Sequence, residues 1–183
     1  MATTESLLTA EEYFCLPDPG VPTELVEGQI VLMNVPGYRH GAVCSNIVYL
    51  LRSYLAVHPI GRVLCNDSGV VTQRGPDSVR GPDVSFYSHA RMPKGPLPKG
   101  YPNQPAELVF EVLSPDDRPK KIAAKAAEFL RAGVLIACVA DPDSETIDVH
   151  RPDQPVVTLT ADQEFTFPDL LPGFAAPVAK VFE

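Results

Sequence analysis

Three carboxylates and one lysine carry the chemistry that this sequence suggests: Glu24, Asp83, Glu111 and Lys125. Asp83 follows Pro82 at the head of a β-prone run, GPDVSFYS, in which Val84 and Phe86 alternate with Asp83 and Ser85, so the carboxylate is expected to project from a strand. Glu111 stands 28 positions later, in the middle of ELVFEVLS, the most apolar run of the chain. A dehydrated, unpaired carboxylate would cost several kcal/mol there, so Glu111 is expected to face a cleft, a cation or a partner. Two carboxylates on neighbouring strands can converge on one hard cation, and all-oxygen donors suit Mg2+ or Mn2+. Such an ion holds a phosphate oxygen and acidifies water, and a nearby ammonium steadies the developing charge. Phosphodiester hydrolysis is the reaction this set would serve.

The elements that must position these groups are legible in outline. Thr9-Ala-Glu-Glu12 has capping-box spacing and predicts a short helix to about Leu16. TELVEGQIVLM reads as a hairpin turning at Glu27-Gly28, with Glu24 just ahead of the turn. From about His40 to Val57, Ile47, Leu50, Leu51 and Tyr54 keep helical spacing, and Pro59 and Gly61 close the segment. His40 could cap that helix, touch phosphate or serve packing alone. GRVLCND and GVVTQ are short strands, and residues 75–82 read as a loop. Residues 91–105, rich in Pro, Gly and Lys, form the candidate substrate-facing loop. The clearest helix is PKKIAAKAAEFLRA over 119–132, with Pro in its first turn and Gly133 as its stop. VLIACVAD is a buried strand, TIDVHRP completes a second hairpin, and the tail from Phe165 reads as loops with a short terminal element.

At 183 residues with 45% hydrophobic and 21% charged side chains, the chain reads as one globular domain over 1–183. Thirteen of its twenty prolines cluster at 17–22, 93–105 and 152–177, where they punctuate that domain. No run approaches the roughly 20 apolar residues of a membrane span, and the first residues lack a basic stretch followed by an apolar one, so no membrane association and a cytoplasmic setting are expected. Cys15, Cys44, Cys65 and Cys138 are scattered without a CxxC pair and read as buried reduced thiols. GxSxG, HExxH, Walker and GxGxxG patterns are missing, which excludes the commonest serine-hydrolase, metalloprotease and nucleotide-binding classes. The net charge of −8 argues against a uniformly basic binding surface. Its distribution is uneven, however. From Arg74 to Arg131, ten Lys/Arg stand against seven Asp/Glu, the one net-positive stretch. Within it Lys94, Lys99, Lys120 and Lys121 are candidates for nucleic-acid backbone contact, and Arg80 either holds a phosphate or pairs with Glu24.

GPDVSFYS, ELVFEVLSPDD, the helix with Lys125 and AGVLIACVADP, preceded by TELVEGQIV and the His40-Gly41 helix start, resemble the Uma-two restriction-endonuclease family of the PD-(D/E)XK nuclease superfamily over roughly residues 10–152. The resemblance implies an α/β (α+β) restriction-endonuclease-like fold with a mixed central β-sheet flanked by helices. It also implies a Mg2+- or Mn2+-dependent endonuclease acting on DNA, working as a homodimer because double-strand cleavage needs two sites about a two-fold axis. By motif position Asp83 is the PD aspartate, Glu111 the acid of the second strand and Glu24 the additional acid. The superfamily pattern has a lysine two places after the second acid, where this chain has Leu113, and the resemblance implies that Lys125 of the following helix substitutes. The strand after Gly133 also lacks the family's aromatic pair and carries Ile136 to Cys138 instead. The alternative reading is a nuclease-fold module that has lost catalysis and acts in nucleic-acid or protein binding.

Overall fold

Alternation along two adjacent strands decides the architecture, because each strand must bury both of its faces. The computed structural model of the protein describes residues 7–97, 99–115 and 117–183. The first six residues, Pro98 of the Pro-Gly-Lys segment and Asp116 of the ELVFEVLSPDD motif lie outside the described residues. In chain order the elements are α1 (Ala10–Phe14), β1 (Thr23–Val26), β2 (Gln29–Leu32), α2 (Tyr38–Val57), β3 (Gly61–Cys65), β4 (Val70–Gln73), β5 (Ser78–Arg80), β6 (Val84–Ser88), β7 (Leu108–Val112) and α3 (Pro119–Arg131). They continue through β8 (Ile136–Asp141), β9 (Thr146–His150), β10 (Val157–Leu159), β11 (Glu164–Thr166), β12 (Ala175–Pro177) and α4 (Ala179–Phe182).

The main sheet has six strands in the order β10-β9-β8-β7-β6-β3. It is mixed: β7 and β8 run parallel, as the α3 crossover between them requires, and the other pairs are antiparallel. On one face Leu108, Phe110 and Val112 of β7 and Ile136, Cys138 and Ala140 of β8 pack with Val43, Ile47 and Leu51 of α2. On the other, Val109 of β7 and Ala137 and Val139 of β8 pack with Ala126 and Phe129 of α3. Period-two alternation therefore sends the side chain of Glu111 to the α3 side.

A second, four-stranded sheet, β2-β1-β5-β4, is antiparallel throughout and carries Glu24. The β1–β2 turn has positive φ at both Glu27 (50°) and Gly28 (78°), the tight two-residue hairpin that right-handed strand twist favours. The capping box at Thr9 and Glu12 forms as expected, on a helix that ends at Phe14.

Three expectations are corrected. The 75–82 segment is not all loop, since Ser78–Arg80 forms β5 between β1 and β4. The tail is more than loops: β11 pairs with β12, Phe165, Phe167, Leu171 and Phe174 are buried in the α2-side core, and Phe165 and Phe167 meet Phe110 edge to face. The thiols are not uniformly buried, because Cys15 and Cys65 are exposed and only Cys138 is fully enclosed. Among the described residues no helix is long and apolar enough to cross a membrane.

Candidate active site

Strand register brings the first two acids together. Val84 pairs with Phe110 in the antiparallel β6–β7 ladder, and one step further along it Asp83 falls opposite Glu111. Directly opposed residues hold their Cβ atoms about 5 Å apart, so the two carboxylates share one patch. Asp83 is fixed there by a backbone bond: the Val112 N–H donates to its Oδ2 at 2.6 Å. Asp83 immediately precedes β6, at the strand's mouth.

Helix α3 supplies the cation. Lys125 Nζ lies 2.9 Å from Glu111 Oε2 and 3.0 Å from Glu24 Oε1, which ties β7, β1 and α3 at one point. Glu24 is buried and also accepts from the Gly81 N–H at 3.0 Å and from Arg80 Nη1 at 2.9 Å. A Cβ on Gly81 would sit 2.7 Å from the Cβ of Asp67, so only glycine lets this backbone pass close enough to donate to Glu24. The structure thus brings Glu24, Asp83, Glu111 and Lys125 into one cluster, with the ammonium coming from the helix rather than from position 113. Leu113 packs instead against the α3-side core.

Two groups outside the expected quartet belong to this cluster. Glu128, three residues after Lys125 on the same helical face, receives Arg80 Nη2 at 2.7 Å and the Thr72 hydroxyl. Arg80 therefore takes the pairing role among its two expected ones: its guanidinium is engaged by Glu24 and Glu128 and is an internal strut, not a free phosphate ligand. The i, i+3 spacing from Lys125 was the signal that could have found Glu128. His40, in the first turn of α2, brings Nε2 to 3.2 Å from Asp83 Oδ1, and its Nδ1 lies 3.5 Å from Cys44 Sγ. No local sequence pattern announces that pair, because 43 residues separate His40 from Asp83.

The electrostatics are uneven. Burial pushes the Glu111 carboxyl up to about 8, helped by the neighbouring charges of Asp83 and Glu24, although Lys125 opposes it. Glu111 Oε1 is buried without a hydrogen-bond partner among the described residues. Burial would lower Lys125, but the Glu111 and Glu24 charges outweigh it and hold the ammonium firmly protonated. The hydrogen bond to Asp83 raises His40, against the effect of burial, and burial pushes the Cys44 thiol up.

The expected backbone-contact lysines lie outside the cluster. Lys94, Lys99, Lys120 and Lys121 are all exposed. Lys121 is one helical turn before Lys125 on α3, and Lys99 lines a groove with Arg74, Tyr101 and Asn103 that reaches Thr72 at the edge of the cluster.

An orphaned buried carboxylate oxygen facing a second carboxylate is compatible with a divalent cation, which takes oxygen donors. Glu111 and Asp83 face each other across the β6–β7 ladder, and the described residues whose donor atoms all lie within 4.8 Å of one another are His40, Cys44 and Asp83. Glu24 suits such an ion less well, since both of its oxygens already carry donors.

Comparison with known proteins bears on the same region. The chain matches the Uma2 family model, described as "Putative restriction endonuclease", over residues 10–179. Among solved structures it resembles one described as "a putative nuclease belonging to DUF820" from Anabaena variabilis ATCC 29413, at 24% identity and a TM-score of 0.82, covering 96% of this chain and 97% of that one. At that identity the likeness speaks for the fold. None of the curated proteins matches the chain.

Proposed function

Because the chain belongs to the Uma2 restriction-endonuclease family, we propose that it is a divalent-metal-dependent endonuclease that hydrolyses DNA phosphodiester bonds. The observation that carries this reading is the partnerless, buried Oε1 of Glu111 beside Asp83. Asp83 and Glu111 would hold Mg2+ or Mn2+, with Glu24 as the supporting acid. When bound, that ion supplies Lewis acidity, holding a phosphate oxygen and offsetting charge that develops on phosphorus.

The chain's own residues do the rest. Lys125 has three N–H donors, of which Glu111 and Glu24 take two, and the third could steady a phosphate oxygen or orient the attacking water. Glu24 fixes the lysine, and Arg80, clamped by Glu128, fixes Glu24. This double clamp holds the ammonium against a rotamer entropy that an exposed lysine would keep. Lys94, Lys99, Lys120 and Lys121 would meet the DNA backbone as an exposed cationic rim in an otherwise acidic protein. A homodimer would pair two such sites for double-strand cleavage, and the exposed apolar residues Ile30, Val31 and Leu32 of edge strand β2 offer a surface for it.

Nicking of supercoiled plasmid in Mg2+ or Mn2+, against EDTA, tests the proposal. Wild type should nick, and Glu111→Gln and Asp83→Asn should each lose at least about 100-fold while remaining folded. Leu113 at the superfamily's lysine position favours a second reading, a binding module without turnover. DNA retention with no metal-dependent nicking would select it.

A further inference from the structure

We propose that His40 is a direct nitrogen ligand of the cation held by Asp83 and Glu111, which makes the centre a mixed nitrogen–oxygen site selective for Mn2+ over Mg2+. This inference rests on the carboxylate site proposed above and adds a ligand and a metal preference to it.

The two oxygens of Asp83 differ in what engages them. Oδ2 is engaged by the Val112 N–H at 2.6 Å, so Oδ1 is the oxygen left to bind a cation. His40 Nε2 is 3.2 Å from that same Oδ1. Two donors bound cis on one ion at about 2.1–2.2 Å stand about 3 Å apart, so the imidazole already sits one polyhedron edge from the carboxylate. An ion arriving at Oδ1 from the imidazole side would meet Nε2 without a backbone movement.

The other face of the ring supports the same assignment. Cys44, one helical turn along α2, sets its Sγ 3.5 Å from Nδ1. Without metal Nε2–H donates to Asp83 Oδ1; a cation that displaces this proton, with Nδ1–H directed at sulfur, would meet the Nε2 lone pair of a ring held by an outer partner. Cys44 is thereby a positioning residue. Its Sγ, a nitrogen of His40 and an oxygen of Asp83 all lie within 4.8 Å of one another, so the ring is held between sulfur and carboxylate. The side chain of His40 is only 11% exposed, which separates it from a solvated surface histidine.

The metal preference follows from donor chemistry. Mg2+ takes oxygen donors almost exclusively and gains little from imidazole, whereas Mn2+ accepts nitrogen within a carboxylate shell. Removing the imidazole should therefore weaken Mn2+ binding and leave Mg2+ binding nearly unchanged.

The test is titration calorimetry of the full chain with Mn2+ and with Mg2+, on wild type, His40→Gln and Asp83→Asn, together with pulsed electron paramagnetic resonance of the Mn2+-loaded wild type. The expected results are a 14N coupling from imidazole in wild type, about tenfold weaker Mn2+ binding in His40→Gln with Mg2+ affinity within about threefold, and loss of both metals in Asp83→Asn. The resonance measurement needs no variant, so a misfolded substitution cannot obscure it. Mn2+ that binds wild type in an Asp83-dependent way without 14N coupling overturns the His40 assignment and leaves the carboxylate site standing. Absence of binding by either metal overturns both.

Discussion

Glu111 on β7 and Glu128 on α3 flank the same cluster around Lys125, and their carboxyls shift in opposite directions. Burial pushes both carboxyls up, yet Glu128 lies below its ordinary value because Arg80 and Thr72 donate to it, while Glu111 rises to about 8. The Nε and Nη2 groups of Arg80 and the Thr72 hydroxyl supply donors to both oxygens of Glu128. Glu111 has one ammonium on Oε2 and, among the described residues, no partner on Oε1. Charge and burial alone do not distinguish a structural carboxylate from a ligand. The number of donors each oxygen receives does: both oxygens of Glu128 are supplied, whereas Oε1 of Glu111 has no hydrogen-bond partner among the described residues.

The largest effect should come from removing the cation that the two sides share. Lys125→Met leaves Glu24 and Glu111 without the ammonium between them, and breaking a buried pair in this way costs about 3–5 kcal/mol. Urea unfolding of the metal-free proteins at pH 8 measures it. A loss under about 1 kcal/mol would mean that Lys125 is not the electrostatic centre of the cluster.

A smaller effect should separate the two glutamates. Glu128→Gln removes the charged acceptor of Arg80 and should cost about 1.5–3 kcal/mol, the range for hydrogen bonds to charged groups, while leaving Mn2+ affinity within about threefold of wild type. Glu111→Gln should do the reverse, since a neutral amide resembles the protonated carboxyl that the metal-free fold favours. Calorimetry and unfolding on both variants draw the contrast, and equal loss of metal affinity in the two would erase it.

The last contrast is a slope with pH. Glu111 is raised in the fold, so between its ordinary value near 4.5 and about 8 the folded protein holds a proton that the unfolded chain has released. Stability contributed by that proton is fully present below the lower value and is lost as pH rises through the upper one. His40, also raised, acts in the same direction from its ordinary 6.5 upward. In EDTA the unfolding free energy should fall with rising pH by up to about 1.4 kcal/mol per unit for each proton concerned, and Glu111→Gln should remove the larger part of the slope. A wild-type profile that is flat or rises from pH 5 to 8 would remove the basis of the contrast.

What the sequence revealed follows from how local each signal is. A carboxylate inside LVFEV is conspicuous because its neighbours define a buried strand, and Lys125 stands on the strongest helical pattern in the chain. Both could be found without knowing what they touch. Glu128 looked like an ordinary helix charge, since its partners Arg80 and Thr72 lie on β5 and β4, two strands of the second sheet. The three residues of β5, enclosed by Gly and Pro, give too short a run for alternation to register, so the strand that carries Arg80 read as loop. The aromatic core of the tail was hidden differently: Phe165, Phe167 and Phe174 sit among prolines that suggest loops, and they are buried together beside the β11–β12 pair. The fold class was therefore legible from long periodic segments, and the acids from their apolar settings. The saturating contacts that tell strut from ligand arise only in three dimensions.

The most direct measurement is the thermal shift produced by Mg2+ and by Mn2+ on wild type, Glu111→Gln and Glu128→Gln. Binding to the folded state alone is worth about 2.7 kcal/mol at 100 times the dissociation constant, or roughly 5–10 °C for a chain of this size. Wild type and Glu128→Gln should gain that shift in at least one metal relative to EDTA, and Glu111→Gln should gain little from either. If wild type gains nothing from either metal, or if Glu111→Gln gains as much as wild type, the partnerless oxygen of Glu111 is not a metal ligand and the account of this site is wrong.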